Sequence, residues 1–130
     1  MPLRVLLIDD DDDLRVEILE YLRRRRHDVT GCASIAEAGD AVARQIAAAQ
    51  PPQAVICDLH LADGNGVDFY LETAPKLGAA RWLLMSGDAD TEALSDRIGE
   101  FGRRFEFHIV EKPVSLRVLN DMLEGRPPAR

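Results

Sequence analysis

Four short stretches of the chain are apolar without interruption: Val5-Leu6-Leu7-Ile8, Ala54-Val55-Ile56-Cys57, Trp82-Leu83-Leu84-Met85 and Phe107-His108-Ile109-Val110, the last broken only by an imidazole. A continuous run, rather than an alternating one, is what a strand of a parallel sheet shows when helices cover both of its faces. Asp28-Val29-Thr30-Gly31-Cys32 is a weaker fifth run and suits an edge strand. The intervening segments repeat at helical spacing. Leu14, Ile18 and Leu22 recur every four residues, and Ser34-Ile35-Ala36-Glu37 has the pattern of a capping box opening an alanine-rich helix that stops before Pro51-Pro52. Helices are also expected over Gly66 to Leu77, Asp90 to Phe101 and Ser115 to Leu123, the last with Leu116, Leu119, Met122 and Leu123 on one stripe. Strand followed by helix, five times over, predicts right-handed crossovers and a three-layer α/β fold around a mostly parallel sheet. In such sheets ligands bind beyond the carboxyl ends of the strands.

Composition changes this picture in two ways. A chain of 130 residues, 46% of them hydrophobic, fits one domain around one sheet. The net charge of -7 argues against direct nucleic-acid binding, which rewards clustered positive charge. The basic run Arg23 to Arg26 falls at the end of the first expected helix, where cations complement the helix dipole, and is read as a solvated helix end. No apolar run approaches the roughly 20 residues that cross a bilayer, and the apolar start is too short for a secretory signal, so a cytoplasmic location is expected. Cys32 and Cys57 have no C-x-x-C spacing and are expected to be buried, reduced thiols.

The candidate chemistry lies in the residues that follow the strands. After the first come Asp9 and Asp10, after the third Asp58, after the fourth Ser86 and after the fifth Lys112. The expected fold brings all five to one crevice. Two unit charges about 4 Å apart repel by roughly 4 kcal/mol at an effective dielectric near 20, so three carboxylates there call for a cation. An all-oxygen donor set without His or Cys suits Mg²⁺, or Mn²⁺, rather than zinc. Asp11, Asp12 and Asp13 belong instead to the start of the first helix, where negative charge is favourable.

These motifs resemble the receiver domains of two-component response regulators, the CheY-like superfamily. The resemblance is carried by Leu6-Leu7-Ile8-Asp9-Asp10, Val55-Ile56-Cys57-Asp58-Leu59-His60-Leu61, the loop with Gly64 and Gly66, Leu84-Met85-Ser86-Gly87 and Val110-Glu111-Lys112-Pro113, in that order. It implies a flavodoxin-like doubly wound fold with sheet order 2-1-3-4-5 over residues 1–124, leaving 125–130 as a tail or the start of a linker. It further implies that Asp58 accepts a phosphoryl group from a histidine kinase or phosphotransfer protein. Mg²⁺ would be held by the carboxylates of Asp9, Asp10 and Asp58 and the backbone carbonyl of His60. Lys112 would neutralise phosphoryl charge, Ser86 would donate its hydroxyl to a phosphoryl oxygen, and Pro113 would fix the turn that aims Lys112, in a cis conformation. The switched surface would be the fourth helix, fifth strand and fifth helix. That surface is also the expected site for a downstream protein or fused effector domain, or for a homodimer. Neither nucleic-acid nor membrane binding is expected of this chain.

Some features depart from the family pattern. Its aromatic residue three positions before the lysine is Ile109 here, so aromatic coupling to Ser86 is in doubt; Phe105, Phe107 or His108 would replace it only if the strand register differs. His60 and Asp88 stand where they would influence how water reaches an acyl phosphate. The spacings from Asp10 to Asp58 and from Ser86 to Lys112 are long, which predicts a lengthened second helix and a longer fourth-helix region. Two other functions remain open. One is a receiver-like interaction module that is never phosphorylated. The other is a phosphatase of the haloacid dehalogenase type, whose nucleophile motif Asp9-x-Asp11 imitates but which leaves Asp58 and Lys112 unexplained.

Overall fold

The computed structural model describes residues 2–87 and 91–125. The elements in chain order are β1 (Arg4–Ile8), α1 (Asp12–Arg24), β2 (Asp28–Cys32), α2 (Ile35–Ala47), β3 (Ala54–Asp58), β4 (His60–Leu61), β5 (Gly64–Asn65), α3 (Gly66–Leu77), β6 (Arg81–Ser86), α4 (Thr91–Ile98), α5 (Phe101–Arg104), β7 (Phe107–Glu111) and α6 (Leu116–Leu123). The main sheet runs β2-β1-β3-β6-β7 with every pair parallel. With β6 and β7 as its fourth and fifth strands, this is the order 2-1-3-4-5, and the expected fold is the one observed. The weak run at Asp28–Cys32 is an edge strand, as its polarity suggested. Among the described residues no helix is long and apolar enough to cross a membrane.

Successive side chains of a strand point to opposite faces, so each apolar run feeds two cores. Leu6, Ile8, Val55, Cys57, Trp82 and Leu84 pack on one face against α2 and α3, through residues such as Ala38, Val42, Val67 and Ala74. Val5, Leu7, Ile56, Leu83 and Met85 pack on the other against Ile18 and Leu22 of α1 and Leu119 and Leu123 of α6. This two-sided burial is why the central strands are apolar throughout.

Local chemistry starts the helices. Asp11 caps α1 by accepting from the Leu14 amide, with Asp12 and Asp13 in the first turn, so these three serve the helix as expected. Ser34 caps α2 by accepting from the Glu37 amide, and Glu37 in return accepts from Ala33, one residue earlier than the usual capping box. Ser115 caps α6. Cys32 and Cys57 each pair with Ile8 from opposite sides of β1, two strand spacings or about 10 Å apart, and both are free and buried. Burial pushes the Cys32 thiol up to about 11, with the Glu37 charge adding to it.

α2 has thirteen residues, as has α1. One helical expectation is corrected. The helix expected over Asp90 to Phe101 is divided: Gly99 adopts φ +58°, a left-handed conformation that ends α4 at Ile98, and the chain restarts as α5. Asp90 and Asp88 lie outside the described residues. The additional length before Lys112 is therefore a separate small helix. It seats closely, since a Cβ on Gly102 would stand 2.5 Å from the Phe107 ring. Phe101, Phe105 and Phe107 join Tyr70 and Trp82 in one aromatic cluster, and the Tyr70 hydroxyl donates to the Phe105 carbonyl. Both phenylalanines near β7 are thus partly buried and packed against the core. α6 ends at Leu123, and most of the expected tail, residues 126–130, lies outside the described residues.

Candidate functional site

Asp9 and Asp58 sit where β1 and β3, adjacent and parallel, reach their carboxyl ends, and both are buried. Asp10 follows on the exposed side. Oxygens of the three carboxylates lie within 4.8 Å of one another. Asp58 pairs in register with Met85, which places Ser86 one position beyond it at the buried end of β6. The Ser86 carbonyl accepts the Lys112 amide at 2.8 Å, tying the ends of β6 and β7 together. From there the Lys112 ammonium reaches back across the sheet, donating to Asp58 Oδ2 at 3.0 Å and lying 3.7 Å from Asp9 Oδ2. The Lys112–Pro113 peptide is cis.

The electrostatics are strained toward a cation. Asp9 Oδ1 accepts the Asp11 amide at 2.9 Å, but Oδ2 is buried with no hydrogen-bond partner. Burial raises the Asp9 pKa above the usual carboxylate value. The charges of Asp58 and Asp10 add to this, against the Asp11 amide and Lys112. For Lys112, burial acts downward; the Asp58 hydrogen bond and the charges of Asp58, Asp9 and Asp11 outweigh it and hold the amine above its ordinary value, so it stays an ammonium. One ammonium does not offset three carboxylates. A bare, buried carboxylate oxygen in an all-oxygen cluster fits a hard divalent cation such as Mg²⁺, and these side chains can hold one. Cys57, fully buried beside Asp58, has its thiol pushed far up by burial and then by the neighbouring carboxylates, and it stays protonated.

The loop after β3 forms the other wall. His60 donates its amide to Asp58 Oδ1 at 3.2 Å while its side chain is exposed, and β4 pairs with β5 antiparallel as a small hairpin. The Ala62 amide donates to Asp10 Oδ2 at 3.0 Å. Asn65 caps α3, and Gly66 lies so close beneath Asp58 that a Cβ there would be 2.3 Å from the Asp58 carbonyl oxygen. Arg15, which the strand-end pattern did not single out, donates to the Asp9 carbonyl at 2.8 Å and to Asp12 at 2.7 Å. Its only signal in the sequence is a cation one helical turn after Asp11. The register of β7 puts Ile109 opposite Leu84 and Phe107 opposite Trp82, so no aromatic takes the position three before Lys112. Asp11, the acid of a dehalogenase-type motif, is committed to capping α1.

Several solved receiver domains are similar to this chain in fold. A CheY-like receiver domain protein from Methanospirillum hungatei JF-1 superposes with a TM-score of 0.79 at 17% identity, covering 96% of this chain and 93% of that one. The non-phosphorylated HemR receiver domain from Leptospira biflexa gives 0.76 at 26% identity, covering 96% and 93%. The chain has the CheY-like receiver fold. NtrX from Brucella abortus matches with a TM-score of 0.77 at 21% identity; the match covers 96% of this chain but only 27% of that one. No protein-family model and no curated protein matches the sequence.

Proposed function

We propose that this receiver domain is the phosphoacceptor of a two-component pathway, with Asp58 as the residue phosphorylated. The observation that carries this reading is the Lys112 ammonium 3.0 Å from Asp58 Oδ2 where three carboxylates converge. A carboxylate oxygen of Asp58 attacks phosphorus of a phosphohistidine on a histidine kinase or phosphotransfer protein. The P–N bond breaks, and the leaving imidazole keeps the electron pair and takes up a proton. The carboxylates of Asp9, Asp10 and Asp58, with the His60 carbonyl, would hold Mg²⁺ or Mn²⁺, which supplies positive charge against the phosphoryl oxygens during transfer. Lys112 shifts from the Asp58 carboxylate to the new phosphoryl group. The Ser86 hydroxyl donates to a second phosphoryl oxygen, drawing its loop inward, while Pro113 fixes the turn that aims Lys112.

That local contact selects between two arrangements of the α4, β7 and α6 surface, where a downstream protein, a fused effector domain or a second copy docks. Fusion is supported by the match to the longer NtrX, of which the matched part is 27%. Ile109 makes the relay independent of an aromatic side chain. We assign the reaction to the cytoplasm, where kinase and phosphodonor are available.

Incubation with acetyl phosphate and Mg²⁺ tests the reading. The expected result is a mass gain of one phosphoryl group that is absent in Asp58→Asn and in excess chelator. Label retained in Asp58→Asn would move the nucleophile elsewhere, and no gain under any condition would favour an interaction module that is never phosphorylated. Lys112→Ala is expected to bind Mg²⁺ yet fail to switch.

A further inference from the structure

Asp63 has no part in the roles above, yet both oxygens of this exposed side chain are engaged. It stands between β4 and β5, with Oδ1 accepting the Ile35 amide at 3.0 Å and Oδ2 the Ala36 amide at 3.1 Å. Those amides belong to the first turn of α2, which has no acceptors of its own for them. Ser34, the local cap, takes only the Glu37 amide. The loop is therefore clamped to a helix start that lies 27 and 28 residues away in the chain. The fit is close, since a Cβ on Gly64 would stand 2.7 Å from Ile35 Cδ1. The two amides also hold the Asp63 carboxyl below the usual aspartate value.

The residue before Asp63 completes the connection. Ala62 donates its amide to Asp10 Oδ2, and Asp10 is the exposed member of the carboxylate cluster, with solvent as its alternative. A chain of contacts thus runs from the start of α2 through Asp63 and Ala62 to a candidate metal ligand. We propose that Asp63 is a positioning residue of the metal site: by clamping the β4–β5 loop to α2 it sets the Ala62 amide that orients Asp10 toward Asp9 and Asp58. Divalent-cation affinity then depends on a side chain that does not touch the cation. This inference rests on the metal reading above and deepens it. Partners outside the ligand shell commonly change metal affinity about 10- to 100-fold, and one acting a step further away is expected to contribute roughly 3- to 10-fold.

Calorimetric titration of the unphosphorylated full chain with MgCl₂ is the test, on the unaltered protein and on Asp63→Ala, Asp63→Asn, Ser34→Ala and Asp10→Asn. Asp63→Ala is expected to raise Kd by roughly 3- to 10-fold and Asp63→Asn, which keeps one acceptor, by less. Ser34→Ala weakens the start of α2 without freeing the loop and should leave Kd unchanged. In an Asp10→Asn background the Asp63 substitutions should add nothing. The loss should persist at about 1 M monovalent salt, where charges are screened within about 3 Å. An unchanged Kd in Asp63→Ala and Asp63→Asn, an equal loss in Ser34→Ala, a loss that survives in Asp10→Asn, or one that salt abolishes would each overturn the inference and leave the metal site standing. Failure of the unaltered protein to bind Mg²⁺ would overturn both. If Asp63→Ala does not fold, Asp63→Asn carries the same comparisons.

Discussion

Asp9 holds one oxygen against an amide and leaves the other buried without a hydrogen bond, 3.7 Å from the Lys112 ammonium, and its stability effect runs opposite to that of most aspartates. An unfolded-chain aspartate titrates near 3.8, whereas burial lifts the folded value. Between those two values the folded state binds more protons than the unfolded, so stability falls as pH rises through that window and the full penalty stands above it. Without divalent cation, Asp9→Asn is therefore expected to melt higher than the unaltered protein at pH 7, by on the order of 1 kcal/mol, the scale of one unsatisfied buried group. The gap should close as the pH is lowered toward 3.8. Saturating Mg²⁺ should reverse the order, because the substitution removes a ligand. Thermal melts of both proteins across that pH range, with and without Mg²⁺, check all three; a lower melt for Asp9→Asn at pH 7 without metal contradicts the account. Asp9, Asp10, Asp58, Ser86 and Lys112 were legible as candidates because each follows an apolar strand, and strand order then decides that they meet. Arg15, Ala62 and Asp63 were not legible. Each acts on or through a backbone amide or carbonyl, and a side chain's type does not announce which distant backbone group it will find.

Elements were legible where hydrophobic period and caps agreed. α1, α2 and α6 combine an apolar stripe with Asp11, Ser34 or Ser115 at the cap. The β4–β5 hairpin was not, because two residues per strand carry no period, and the break between α4 and α5 turns on the backbone angle of Gly99 alone. Two other glycines show how differently one residue type serves its element. Gly39 lies inside α2, and a methyl group added to it would meet nothing within 4 Å, so Gly39→Ala is expected to stabilise by about 0.8 kcal/mol through helix propensity. Gly66 begins α3 beneath the phosphoacceptor strand, where a Cβ would meet the backbone of Asp58 and Leu59. Gly66→Ala is expected to cost about 1–3 kcal/mol, the range for forced overpacking, and to displace Asp58. Urea unfolding measures both, and acetyl phosphate labelling should be normal in Gly39→Ala and slowed in Gly66→Ala. Equal stability of the two variants would contradict the packing at the start of α3.

Across the whole molecule, the chemistry and the tie between the early and late parts of the chain occupy opposite ends of the sheet. The site caps the carboxyl ends of the strands. At the amino ends, His27, buried between α1 and β2, accepts the Leu3 amide on Nδ1 at 3.1 Å. A ring nitrogen that accepts from an amide carries no proton, so Nε2 bears the hydrogen and donates to Asn120 Oδ1 of α6 at 2.9 Å. Asn120 Nδ2 in turn donates to Glu124 Oε2 at 3.0 Å. The residue before β1, the α1–β2 junction and α6 are thus joined by one largely buried polar chain, which accounts for a histidine with no ligand-spaced neighbour in the sequence. Asn120→Leu would fill similar space and leave the His27 N–H without an acceptor, at a cost of about 1–3 kcal/mol. β1 has five residues at about 3.3 Å each, so this chain lies on the order of 17 Å from Asp9. The variant is therefore expected to unfold at lower urea while its labelling by acetyl phosphate and its Mg²⁺ affinity stay normal under native conditions. Loss of labelling in the still-folded variant would mean that α6 is coupled to the phosphorylation site through the sheet; intact labelling with lowered stability would assign the His27–Asn120 link to holding α6 in place alone.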